Sequence, residues 1–255
     1  MPPTEFLVPD WDGNAPANIG ALSTTRCGGV SRGPYDDGAG GGGLNLGAHV
    51  GDDSAAVQQN RALLRAVLPA EPLWLTQVHG AGVIDACAAE EANPVADAVI
   101  ATGRGAVCAI QTADCLPVLL CDAAGRVVGA AHAGWRGLAH GVLENTVARM
   151  RTHGAGEILA WLGPAIGPVR FEAGSDVRDA FCGPDPGAAC AFVPLAGRAD
   201  KYHADIYCLA RRALERADVI RVSGGTRCTV SEPEQFYSYR RDRTTGRMAS
   251  LIWLK

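Results

Sequence analysis

The sequence predicts an α+β fold, and three observations carry that reading. Apolar runs at 107–112, 118–121 and 127–133 are too closely spaced to be separated by helices, so the centre is sheet. Helical periodicity is confined to a few separate segments. Regular strand–helix alternation is absent, and no Gly-x-Gly-x-x-Gly follows a strand, which argues against a doubly wound dinucleotide fold.

Taken in order, 19–26 reads as a strand and 54–68 as a helix. Asp53 or Ser54 can cap that helix, and Val57, Leu64 and Leu68 share one face. Short strands are expected at 73–77 and 98–101, followed by the central series. A helix over 138–151 places Leu138, Val142, Val147 and Met150 at helical spacing, with Gly154 as its stop. A strand at 157–162, helices at 175–181 and 205–216, and strands at 219–222 and 248–254 complete the chain. Residues 33–43 include four consecutive glycines, Gly40 to Gly43, and read as a flexible surface loop. A phosphate-cradling loop is the other reading, but no Gly-Lys-Ser/Thr follows.

Composition narrows the function. With 255 residues, 47% hydrophobic and 20% charged, the chain over 1–255 can bury a large core, as one large domain or as two fused halves. Its 23 Lys+Arg against 27 Asp+Glu give a net charge of −4, which disfavours general nucleic-acid or acidic-membrane binding. No apolar run approaches the roughly 18 residues of a membrane span. Met1 to Glu5 carry no basic or apolar leader signature. Nine irregularly spaced cysteines, with no Cys-x-x-Cys, argue against a disulfide framework and for a reduced, cytoplasmic setting.

Three residues stand at the ends of expected strands, where Gly or Pro breaks the chain: His79 in Thr76-Gln77-Val78-His79-Gly80, Cys115 in Thr112-Ala113-Asp114-Cys115-Leu116-Pro117, and His132 in Ala131-His132-Ala133-Gly134-Trp135-Arg136-Gly137. Spacing alone does not group them. If the fold does, two imidazoles and a thiolate suit Zn²⁺ and leave its fourth position open, as in catalytic zinc sites, where bound water has a pKa near 7. Asp114 could then handle a proton. A buried thiol and two hydrogen-bonded histidines would account for the same residues without chemistry.

The motifs resemble those of the YfiH, or laccase-domain, family. The matching segments also include Thr25-Arg26-Cys27-Gly28-Gly29-Val30-Ser31, Leu44-Asn45-Leu46-Gly47, Gly163-Pro164-Ala165-Ile166-Gly167 and Phe236-Tyr237-Ser238-Tyr239-Arg240-Arg241, in family order over nearly the whole chain. The glycines at 38–43 form a longer link than the family commonly has. The resemblance implies a single domain of mixed β-sheets sandwiched with helices, and zinc held by His79, Cys115 and His132. It also implies phosphorolysis of adenosine, inosine, guanosine and methylthioadenosine, deamination of adenosine, or removal of misincorporated Ser from cell-wall precursors. Nucleoside and phosphate would be its small-molecule partners. Copper-dependent polyphenol oxidation fits poorly, because six histidines with no His-x-His pair cannot build a multicopper cluster. Adventitious copper at the three-residue site remains chemically reasonable.

Arg136, Arg61 and Arg26 are candidate anion clamps, because a guanidinium offers a bidentate fork. Asn45 and Gln77 could hydrogen-bond a base or ribose, and Trp135 could stack on a purine. His49 and His203 are further acid–base candidates. The Arg-rich 237–247 segment reads as structural or as part of the substrate pocket. Two other function classes stay open: a metal-free hydrolase or amidase with Cys115 as nucleophile and His79 or His132 as base, and a non-catalytic binding protein. Neither the residues nor the resemblance gives the oligomeric state.

Overall fold

The computed structural model describes residues 6–255, so the leader reading at Met1 to Glu5 lies outside the described residues. Two sheets are packed face to face, and each has helices on its outer side. The larger sheet contains β4 (Val83–Asp85), β5 (Ala98–Ala101), β7 (Leu116–Asp122), β8 (Val128–Ala133), β9 (Ile158–Leu162) and β13 (Arg221–Gly224), in the order β13-β9-β7-β8-β5-β4. The smaller contains β1 (Ile19–Ser23), β3 (Pro72–Leu73), β6 (Val107–Thr112) and β14 (Met248–Leu254), in the order β1-β14-β6-β3. The central β7–β8 and β6–β14 pairs are antiparallel. A separate small sheet joins β10 (Glu172–Gly174), β12 (Lys201–Ala204) and β11 (Phe192–Pro194).

The period-2 alternation of side chains explains the layers. In β7, Leu119 and Cys121 face the smaller sheet, while Leu116, Val118 and Leu120 face helices. In β6, Cys108 and Ile110 face the larger sheet, while Val107 and Ala109 face outward under Leu64 of α1 (Ser54–Arg65). Helices α3 (Val142–Thr152) and α5 (Ile206–Arg216) cover the far face of the larger sheet with Val142, Leu143, Val147 and Met150, and with Leu209, Ala213 and Leu214. Strands buried on both faces read as continuous apolar runs, which is why periodicity located them but could not assign their faces. Each fully buried Leu, Ile or Val side chain contributes on the order of 1.5–3 kcal/mol.

Some expectations change in detail. The helix expected over 138–151 is two helices, α2 (Trp135–Ala139) and α3, broken at Gly141, whose φ of +84° is outside the helical region. The strand expected over 19–26 stops at Ser23, and the chain resumes as β2 (Cys27–Ser31). Helix α4 (Ser175–Cys182) forms as expected, and α6 (Tyr239–Asp242) was not foreseen. The glycine-rich loop is anchored at its C-terminal end. Gly43 bridges to Cys27 and Ser31, and a Cβ on Gly43 would strike the carbonyl oxygen of Tyr35.

Candidate functional site

Strand register brings the three motif residues together. His132 continues the inward row Val128, Ala130 of β8, and so lies between the sheets at the strand's end. It pairs with Pro117 of β7, and Leu116 pairs with Ala133; Cys115, one residue earlier, thus falls beside Gly134. His79 arrives on the loop after β3. The ligand atoms of His79, Cys115 and His132 lie within 4.8 Å of one another, with Cys115 Sγ 3.8 Å from His79 Nε2. His132 is buried and His79 exposed.

Asp97, which sequence reasoning missed, fixes two members of this cluster. It is fully buried at the start of β5, and Ala98 pairs with Ala131, which sets Asp97 against His132. Its Oδ1 accepts from His132 Nδ1 at 2.8 Å and from the backbone N–H of His79 at 2.9 Å; its Oδ2 accepts from Gly80 at 2.7 Å and Val78 at 3.2 Å. With a proton on Nδ1, His132 presents Nε2 to the cluster, the orientation seen when a carboxylate backs a metal-bound histidine. Burial alone would raise the Asp97 pKa, but these hydrogen bonds and the charge of His132 hold it below the usual value.

The thiol is polarised in the same way. Burial opposes ionisation of Cys115, yet the charge and hydrogen bonds of His132 and His79 bring it down to about 6. Burial likewise opposes protonation of His132, while Cys115 and Asp97 draw it up to about 9. Cys115 is therefore a ready thiolate, the form that binds metal or acts as nucleophile.

The backbone here is unusual. His79 has φ +60° and Asp114 φ +91°, both in the left-handed region that non-glycine residues rarely occupy. Such conformations cost of order 1–3 kcal/mol each and persist where surrounding contacts impose them. For His79 the contacts are those to Asp97. For Asp114, Oδ1 accepts from the Thr229 hydroxyl and Oδ2 from the Arg240 N–H, both at 2.6 Å, and its carbonyl accepts from Ile166 N–H at 2.9 Å. Two glycines are equally constrained. A Cβ on Gly134 would lie 2.9 Å from Cys115 Sγ and 3.2 Å from His79 Cδ2, and one on Gly137 would lie 2.7 Å from the Gly80 carbonyl.

The cluster opens into a cavity of about 900 Å³, within the size range of small-molecule sites. Its other walls include His49, Arg61, Trp74, Gln77, Tyr239 and Arg247. Arg61 lies 4.2 Å over the Trp74 ring, and its Nε donates to the Leu46 carbonyl. Arg247 Nη1 donates to the carbonyls of Thr245 and Gly246. Among the described residues that line the cavity, none is a carboxylate. Partial desolvation of His49, then the charges of Arg247 and Arg61, push its pKa below the usual imidazole value.

Other candidates are placed differently. Arg26, expected to bind substrate, is outside this cavity; it donates to the carbonyls of Asp36 and Pro233 and stacks over Tyr237. Asn45 is fully buried, and its side chain ties Gly47, Asp52 and Arg247 together. Arg136 is exposed, lies against Trp135, and does not line the cavity. Gln77 lines it, but both ends of its amide engage the Gln111 backbone at 2.8 Å. His203 is on β12, away from the cavity. Arg247, which reasoning from sequence left inside a basic segment, faces the cavity because Asn45 Oδ1 accepts its N–H at 2.8 Å.

The three ligand groups fit a metal ion. Zn–N near 2.0–2.1 Å and Zn–S near 2.3 Å imply ligand separations of roughly 3.5 Å in a tetrahedron. The observed spread reaches this with small side-chain rotations, and the cavity side is left open. Among the described residues, this is the one cluster of three or more His, Cys, Asp or Glu close enough to hold a metal. Residues 20–255 match the family described as multi-copper polyphenol oxidoreductase laccase.

The chain belongs to this family. Relatives include the purine nucleoside phosphorylase YfiH of Escherichia coli, 51% identical over 253 residues, covering 98% of this chain and 99% of the relative. A purine nucleoside phosphorylase of Pseudomonas aeruginosa is 51% identical over 250 residues, covering 98% of each chain. The crystal structure of Neisseria meningitidis protein NMB0706 superposes with a TM-score of 0.89 at 50% identity, covering 98% of this chain and 99% of that one. The family's mixed-sheet, helix-flanked single domain is thus the fold found here. No helix among the described residues is long and apolar enough to cross a membrane.

Proposed function

We propose that the protein is a purine nucleoside phosphorylase, converting a nucleoside and phosphate to the free base and ribose 1-phosphate. The observation that carries this reading is the charge of the cavity. Two arginines and three histidines face one space with no carboxylate among the described residues lining it, and the polarised His79–Cys115–His132 cluster forms part of its wall. Such a wall favours an anion, and phosphate is the anion that phosphorolysis consumes. The names of the two half-identical relatives support the same reaction.

In this reading Arg61 and Arg247 bind phosphate and orient it toward C1′ of the ribose. Trp74 braces the Arg61 guanidinium, and Asn45 sets the backbone that carries Arg247. Tyr239 offers an aromatic face at the cavity wall for the base. Asp97 keeps His132 in one tautomer, and Asp114 holds the turn bearing Cys115. Both carboxylate oxygens of Asp114 are already bonded to Thr229 and Arg240, so it acts as a positioning residue and not as a proton carrier. Zinc is the metal assigned to His79, Cys115 and His132, with copper as an adventitious occupant; when bound it supplies a Lewis acid facing the cavity. Adenosine, inosine, guanosine and methylthioadenosine are the proposed substrates. Adenosine deamination would require a proton carrier other than Asp114.

The test is incubation of purified protein with adenosine, with and without phosphate, resolving products by chromatography and counting bound metal. Phosphate-dependent adenine and ribose 1-phosphate, about one zinc per chain, and loss of both in Cys115→Ala are expected. Phosphate-independent inosine would make deamination the main reaction. Full activity in metal-free protein would favour a Cys115 nucleophile, whose thiolate is otherwise a metal ligand. No turnover of any of the four nucleosides would overturn the proposal.

A further inference from the structure

A second pair of cysteines lies away from the cavity. Cys190 is exposed on the 3₁₀ turn Pro186–Ala191, and Cys208 is half-buried in the first turn of α5. Their Sγ atoms are 3.7 Å apart. Three contacts hold the two elements in place. Asp185, which caps the turn by accepting from Gly187 N–H, is gripped by Arg212 of α5, whose Nε and Nη2 donate at 3.0 and 2.8 Å. Asp205 caps α5 by accepting from the N–H groups of Tyr207 and Cys208. The Asp205 N–H in turn donates to the Ala191 carbonyl at 2.8 Å, directly after Cys190. The sulfurs are therefore held together by the frame around them.

Both thiols line an open cleft of about 450 Å³ shared with Arg211, Arg227 and Cys228. Cys228 is engaged elsewhere, accepting from the Gly167 N–H at 3.2 Å. A disulfide requires an S–S distance of about 2.05 Å. The two sulfurs are 3.7 Å apart, so about 1.7 Å of approach separates the thiols from a bond.

We propose that Cys190 and Cys208 form a reversible dithiol–disulfide pair oxidised by hydrogen peroxide entering this cleft. The exposed Cys190 thiolate attacks a peroxide oxygen. The O–O bond breaks, water leaves, and Cys190 becomes a sulfenic acid. The Cys208 sulfur then attacks the Cys190 sulfur, the S–O bond breaks, and a second water leaves. Two thiols lose two electrons and one peroxide becomes two waters. A small thiol restores both cysteines by exchange. The pair is independent of the phosphorolysis reading, because neither sulfur lines the cavity.

The test treats the full-length protein with hydrogen peroxide, blocks remaining thiols with an alkylating agent, and maps tryptic peptides by mass spectrometry. Cleavage after Arg178, Arg198, Lys201 and Arg211 yields peptides 179–198 and 202–211. They should appear joined, two hydrogens lighter than their sum, and separate after dithiothreitol. The first peptide also holds Cys182, so Cys182→Ser should keep the link while Cys190→Ser and Cys208→Ser each abolish it. Cys190 recovered as sulfinic acid or alkylated thiol with Cys208 unlinked would overturn the proposal. So would a peroxide-induced dimer in which Cys190 joins two chains.

Discussion

Replacing Asp97 with Asn tests whether one buried carboxylate organises the whole site. The carboxylate accepts four hydrogen bonds, three from consecutive backbone N–H groups and one from His132. The amide keeps one accepting oxygen and turns an NH₂ toward donors, so at least one buried donor is left facing another. Breaking a buried, hydrogen-bonded charge pair costs about 3–5 kcal/mol. For a chain of this size, 1 kcal/mol corresponds to roughly 2–4 °C, so Tm should fall by on the order of 10 °C. Freed from Asp97, His132 can exchange tautomers, and metal affinity should drop about 10–100-fold, the usual effect of losing such a partner. Calorimetry and chelator competition measure the two quantities separately. Since the Asp97 pKa is depressed, its stabilisation is full above the unfolded value of about 3.9 and is lost as pH falls through the folded value. The variant should therefore lose part of the wild-type's acid sensitivity. Wild-type metal affinity in a folded Asp97→Asn protein would refute the argument, whatever its Tm.

Arg61→Ala and Arg247→Ala should each raise the phosphate KM about 10–100-fold, the range for a lost charged hydrogen bond, whereas Arg136→Ala should leave it unchanged; steady-state kinetics with phosphate varied decides this. His49 should titrate below 6.5 in NMR, since desolvation and the two arginines disfavour its cation, and phosphate should raise that midpoint by screening them; a midpoint at or above 6.5 without phosphate would contradict the proposed cavity charge. Gly134→Ala should cut metal occupancy while leaving the fold intact, because its methyl group meets Cys115 Sγ and not the core; metal analysis beside circular dichroism separates these effects.

The long buried strands were legible because most of each is apolar, as in β9, which is apolar throughout, and in β6 and β14, where polar residues are few. Helix α1 was legible through its Asp53 cap and its Val57–Leu64 face. The short strands β10 and β12 were not, because Glu172–Gly174 and Lys201–Ala204 contain polar residues and pair only with one another and β11. The three cluster residues were visible as His and Cys at broken strand ends. Asp97 was invisible because its partners lie 17 to 35 residues away and depend on register, which periodicity does not report. Arg26 and Asn45 stand out in their motifs, but their partners in the fold are equally hidden from the sequence. Arg26 donates to the Asp36 and Pro233 carbonyls, and Asn45 bonds the Asp52 carboxylate and the backbone of Gly47 and Arg247, contacts that only the folded chain supplies.

Strand β6 belongs to the smaller sheet and β7 to the larger, and the turn that carries Cys115 is the chain's passage from one to the other. Cys115 and His132 take their separation from the β7–β8 pairing within the larger sheet, whereas His79 follows β3 of the smaller one, so its distance from the other two depends on how the two sheets sit. An oversized side chain at Ile110 or Leu119, in the layer between the sheets, would wedge them apart and draw His79 away from Cys115 and His132. Reactivity here is gauged by the thickness of the core, so damage that looks purely mechanical should register first as a chemical defect.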